Sequence, residues 1–116
     1  MRHQKKNNTL GRVKAQREAL MRSLAESLIL HGGIKTTRAK AKALRGFVEP
    51  LITTAKQNTL ASRRMLISKL YTDKAVKKLI DTLGPQYKER NGGYTRITKV
   101  GFRSNDGAEK VRIELV

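Results

Sequence analysis

The chain has no cysteine and no tryptophan among its 116 residues, and only two Phe and three Tyr. Without cysteine there is no disulfide framework, no thiolate metal site and no cysteine nucleophile. A core with so few rings must be mainly aliphatic. No apolar run approaches the roughly 20 residues needed to cross a bilayer, so no membrane insertion is expected. The start MRHQKKNNTLGRVK is basic, and no apolar stretch of signal-peptide type follows it. Catalytic patterns are also missing: there is no P-loop, no HExxH, no GxSxG and no pair of His at ligand spacing. Asp73 reads as a helix cap, Asp81 as a surface residue and Asp106 as a turn residue. His31 falls in the last turn of a helix, where a partly protonated imidazole complements the dipole. No enzyme activity, cofactor, metal or small-molecule substrate is expected.

Acids are scarce too: 9 Asp and Glu stand against 26 Lys and Arg, a formal net charge of +17. A free compact domain gains nothing from such self-repulsion. A polyanionic partner neutralises it, and nucleic-acid phosphates are the usual one. The charge is uneven. Residues 1–64 carry 15 Lys and Arg against three acids, and residues 65–116 carry 11 against six.

Length and hydropathy predict one domain with a tail. Residues 1–14 hold Arg2, Lys5, Lys6, Arg12 and Lys14, with too little apolar surface to fold alone. They read either as a solvated terminus or as a basic arm that orders on a phosphate backbone. Residues 15–116 read as a single α+β domain. Leu20, Met21, Leu24, Ala25, Leu28 and Ile29 form a helical stripe over 15–31, with Arg17 elsewhere on its surface. Gly32 and Gly33 then supply a left-handed cap. Ile34 to Thr36 is extended, and Thr36 or Thr37 caps a second helix over about 38–57. Pro50 lies inside that pattern, which predicts a kink or a break.

A third helix opens at Asn58 or Thr59, with Leu60, Leu66, Ile67 and Leu70 as its apolar residues. A fourth starts at Thr72 or Asp73, and Gly84-Pro85 should stop it. After it the period changes. Val111, Ile113 and Leu115 alternate with Lys110, Arg112 and Glu114 as a half-buried strand. Residues 94–102 form its hairpin partner across the turn Ser104-Asn105-Asp106-Gly107. The fold class is α+β: about four helices on a small three-stranded sheet.

Two segments are suited to phosphate. Arg38, Lys40, Lys42 and Arg45 crowd the first turns of the second helix, where cations are unfavourable unless an anion is bound. In RNGGYTRI, residues 90–97, two glycines allow close backbone approach and the flanking Arg can clamp phosphates. Tyr94 there either stacks on an unpaired base or fills the core.

The segments LGR, LILHGGIKTTRAKAKALR, VEPLIT, LGPQYKERNGGYTRI and IELV follow one another in this order after the start MRHQKK. Together they resemble the bacterial large-subunit ribosomal protein L-seventeen family over essentially the whole chain. The resemblance implies a structural constituent of the large ribosomal subunit in the cytoplasm. It implies contact with large-subunit rRNA near the rim of the peptide exit tunnel, and with neighbouring large-subunit proteins. By the same resemblance Arg2, His3, Lys5, Lys6 and Arg12 match the family's RNA-penetrating start. Lys35, Thr36, Thr37, Arg38, Lys40 and Lys42 match its strand-to-helix segment, and Arg90, Gly92, Gly93, Tyr94 and Arg96 its C-terminal signature. Lys14 and Arg17 extend the first group, and Arg103 is retained, with Asp106 and Ala108, in a hairpin tip that differs from the family's commoner basic, Gly-rich form. An assembly factor or a basic architectural nucleic-acid-binding protein is the alternative.

Overall fold

The computed structural model describes residues 9–116. Arg2, His3, Lys5 and Lys6 lie outside the described residues. From Thr9 the chain turns, and the Arg12 amide donates to the Thr9 carbonyl at 3.0 Å. Helix α1, Lys14–His31, then buries Met21, Ala25, Leu28 and Ile29, the expected stripe. Gly32 ends it in the left-handed region at φ 79°, its amide donating to the Leu28 carbonyl at 2.8 Å. Glycine has no Cβ penalty in that region.

Strand β1, Gly33–Thr37, runs directly into helix α2, Arg38–Gln57. Thr37 occupies the cap position, but its side chain accepts no capping bond. The side-chain cap expected of Thr36 or Thr37 is therefore absent. Pro50 does not break α2. Val48, Leu51 and Ile52 are buried around it, and packing of an apolar face supplies most helical stability in proteins. Gly46, whose carbonyl loses its donor, is exposed to water.

Helix α3, Leu60–Lys69, is capped by the Thr59 hydroxyl, which accepts from the Ser62 amide at 3.1 Å. Leu66 and Leu70 are buried as expected, but Leu60 and Ile67 are 64% and 49% exposed. At about 100° per residue they fall roughly 160° and 140° round the helix from buried Ser62, on the opposite face.

The fourth helical segment is continuous: α4, Asp73–Lys78, a π-helical turn, Leu79–Leu83, and α5, Gly84–Gln86. The expected stop at Gly84-Pro85 is overturned. Gly84 is right-handed at φ −55° and ψ −55°, and its amide reaches the Leu79 carbonyl, a residue further back than in an α-helix. The wider turn carries the chain past Pro85, which has no N–H. The approach to α2 is close at Gly84, where a Cβ would lie 3.1 Å from the Ala55 carbonyl oxygen.

Strand β2, Thr95–Phe102, and strand β3, Glu109–Leu115, complete an antiparallel sheet in the order β1-β3-β2. Ile34, Ile113 and Ile97 stand in one cross-strand row and pack on the core. Successive side chains alternate between faces, so the next row, Lys35, Arg112 and Thr98, lies on the face away from the helices. A bulge between Lys99 and Gly101 shifts the register near the hairpin tip. This is the expected α+β class, with helices on one face of a three-stranded sheet.

Candidate nucleic-acid interface

The junction between β1 and α2 gathers cations from distant parts of the chain. Lys35, Thr36, Thr37, Lys40, Arg103 and Lys110 line one shallow depression of about 300 Å³. Thr37 and Lys110 are register partners, which is how the hairpin reaches the junction. Arg38, Ala39, Lys42 and Glu109 line a second depression of about 430 Å³. Glu109 lies 3.5 Å from Arg38 and 3.7 Å from Lys99. Lys35, Lys40, Lys42 and Lys110 make no ion pair among the described residues. The first turn of α2 holds no acid, so its free amides and these ammonium groups act on an anion with the same sign.

The open sheet face extends this surface. Its rows bring Lys35 level with Arg112, Thr37 with Lys110, and Arg96 with Glu114. Glu114 is the counter-charge, 3.3 Å from Arg112 and 4.0 Å from Arg96. In the sequence, Lys110 and Arg112 read only as the solvent side of a strand. Their period-2 spacing was the signal available, and strand order was the missing information.

The first group is partly used in local structure. The Arg12 guanidinium donates to the Leu10 carbonyl at 2.8 Å, and Arg17 donates to the Arg12 carbonyl at 3.3 Å. Both hold the turn that leads into α1. Lys14 is exposed at the first position of the helix.

In the RNGGYTRI segment the structure favours the core alternative for Tyr94. Tyr94 is only 1% exposed. Its ring meets Tyr87 edge-on, with centroids 5.2 Å apart. Its hydroxyl donates to the Arg90 carbonyl at 3.2 Å and accepts from Thr53 at 3.3 Å and Lys56 at 3.1 Å. The hydrogen bond from Thr53, then that from Lys56, lower the phenol's pKa against the opposing effect of burial. A ring enclosed in this way has no face free for a base, which corrects the stacking role considered for Tyr94. Gly92 and Gly93 are left-handed at φ 86° and 62°, which lets the loop fold back so that Arg90 Nε donates to the Gly93 carbonyl at 3.2 Å. These glycines shape a loop closure, and Arg96 is the member of the group on the open sheet face.

At the hairpin tip, Arg103 Nε donates to Asp106 Oδ1 at 2.9 Å, and a second guanidinium nitrogen engages Oδ2. The Arg103 hydrogen bond, followed by one from the Ala108 amide, holds the Asp106 carboxyl well below the usual carboxylate range. Both side chains are about half exposed, so the pair orients Arg103 more than it stabilises the fold. Among the described residues, no group of three or more His, Asp or Glu is placed to hold a metal ion. Nor, among them, is any helix long and apolar enough to cross a membrane.

Fold and surface together define a small α+β protein with a cationic sheet face and a cationic strand–helix junction. Residues 20–116 match the family described as Ribosomal protein L17. The chain is 53% identical to the large ribosomal subunit protein bL17 of Gemmatimonas aurantiaca, over 100% of this chain and 98% of that protein. It is 52% identical to the bL17 protein of a Sulfurihydrogenibium species, over 100% of this chain and 97% of that one. It is 50% identical to the bL17 protein of Rickettsia bellii, over 100% of this chain and 82% of that one. The chain belongs to the ribosomal protein L17 family, the family its segments resemble.

Proposed function

We propose that the chain is a structural constituent of the large subunit of the cytoplasmic ribosome, held there by binding large-subunit rRNA. The observation that carries this reading, beyond family membership, is the convergence of Lys35, Lys40, Arg103 and Lys110 on one depression beside an acid-free helix start. Its role is neutralisation and positioning. Ammonium and guanidinium groups screen closely packed phosphates, and recognition follows RNA shape more than base edges. Arg2, His3, Lys5, Lys6 and Arg12 supply further contacts as part of a basic arm over residues 1–14, and the domain over 15–116 sets that arm's direction. The site lies near the rim of the peptide exit tunnel, against neighbouring large-subunit proteins, and performs no catalysis.

Sedimentation of the endogenous protein through a high-salt sucrose gradient, with copies counted per particle, tests this. Near one copy on mature large subunits is the expected result. Presence only on precursor particles would make the chain an assembly factor. Absence from all ribosomal fractions would return it to the architectural nucleic-acid-binding class.

A further inference from the structure

The chain has five aromatic rings, and burial sorts them. Tyr87 and Tyr94 are buried, and Phe47 packs against the core. Tyr71 is exposed, but the Arg22 guanidinium lies 5.4 Å from its ring centroid. Phe102 is different. At 73% it is the most exposed large apolar side chain among the described residues. It stands at the end of β2, immediately before Arg103 and directly opposite Glu109 in the register. Glu109 in turn draws in Arg38 and Lys99, and it shares a depression with Arg38 and Lys42.

A bare phenyl ring in water is unfavourable, and its surroundings indicate what covers it. Arg38, Lys42 and Lys99 outnumber Glu109, so the occupant must offer both a face for the ring and negative charge for the cations; a protein would need an apolar pocket rimmed with acids, whereas the rRNA-binding reading already supplies both from one molecule. An unpaired base with its two flanking phosphates matches both charge and ring: the base has a π-face for Phe102 and the phosphates suit the cations. We propose that Phe102 is a stacking platform for one unpaired RNA base, with Arg38, Lys42 and Lys99 holding the adjoining phosphates. The inference rests on the rRNA-binding reading above and adds a base-contacting residue to it. It also places the stacking ring at the hairpin tip, not at Tyr94.

The absence of native tryptophan makes the test direct. In the full chain, Phe102→Trp introduces a single indole at the site, and Phe102→Leu keeps apolar bulk without a ring. The probe is deproteinised large-subunit rRNA, with a fully paired RNA duplex as control. Loss of one stacked base should weaken binding of Phe102→Leu by about 10- to 100-fold, with the salt slope unchanged because no phosphate contact is removed. Phe102→Trp should bind like the parent, and its fluorescence should be quenched by rRNA but not by the duplex. Parent-like affinity of Phe102→Leu, or an indole unmoved by rRNA, would overturn the proposal. So would an indole that shifts only when large-subunit proteins are added, which would give the ring to a protein partner. Failure of the parent chain to bind rRNA at all would instead sink the underlying reading. Circular dichroism of both variants confirms the fold, which an exposed position should leave intact.

Discussion

Two glycine pairs in this chain introduce nearly the same words. Gly32-Gly33 leads into Ile34-Lys35-Thr36-Thr37-Arg38, and Gly92-Gly93 leads into Tyr94-Thr95-Arg96. The structure gives them opposite duties. After the first pair, Lys35 and Arg38 are exposed, and Lys35, Lys40 and Lys42 are unpaired among the described residues. After the second, Tyr94 enters the core, Arg90 bonds its own loop, and Thr95 is buried and accepts from Arg45 at 3.3 Å. One segment presents charge outward. The other closes the helical layer onto the sheet. What separates them is how deeply the residues after the glycines enter the core: Ile34 is only partly buried, whereas Tyr94 and Thr95 are both buried.

The comparison can be broken most severely at Tyr94. Tyr94→Ala should cost about 3–5 kcal/mol in denaturant unfolding, as for other buried rings. Tyr94→Phe, which removes only the hydroxyl, should cost about 1 kcal/mol and bind RNA normally. A Tyr94→Ala protein as stable as the parent but deficient in RNA binding would reverse the assignment of the second segment. The complementary test is the triple variant Lys35→Gln, Lys40→Gln, Lys42→Gln. Its RNA affinity should show a salt slope reduced by roughly 2–3, one step per lost phosphate contact, with the thermal midpoint little changed. Arg90→Gln should do the converse, lowering stability and leaving the slope almost unaltered. Equal slopes in the parent and the triple variant would remove the junction from the interface.

Gly84→Ala offers a smaller effect in the closing segment. The new methyl must displace the Ala55 or Leu79 carbonyl, at 3.1 and 3.2 Å, and should cost about 1–3 kcal/mol. The smallest effect is at the hairpin tip. Folding lowers the Asp106 pKa through the Arg103 hydrogen bond. Its contribution is therefore complete above the ordinary carboxylate value of about 4 and is lost as pH falls through the lower folded value. Carboxyl chemical shifts followed by NMR should show Asp106 titrating below that value, and Arg103→Gln should raise the midpoint towards it, with the Ala108 amide still holding the carboxyl partly down.

Much of the fold was legible because its signals are local. The stripe of α1, the Thr59 cap, the period-2 pattern of β3 and the Asn-Asp-Gly turn each depend on neighbours within a few residues. The misreadings share one cause. Pro50 and Gly84-Pro85 are helix breakers by local rules, yet burial of Val48, Leu51, Ile52, Leu79 and Leu83 keeps both segments helical. Leu60 and Ile67 are apolar, but α3 has one narrow inward face, occupied by Ser62 and Leu66. At the interface, the junction cations were visible as a charge run, whereas Lys110, Arg112 and the exposed Phe102 were not.

The sequence by itself determined the excess of positive charge, the α+β order of elements and the family, since composition, period and motif order require no knowledge of the fold. Only the tertiary structure decided which cations meet and which rings remain in water. Placing β3 between β1 and β2 sets Lys110 opposite Thr37 and Phe102 opposite Glu109. The first pairing joins residues about seventy positions apart, a separation over which no local propensity acts; the second lies within the β2–β3 hairpin, but the bulge between Lys99 and Gly101 sets which side chains of β2 face β3 there.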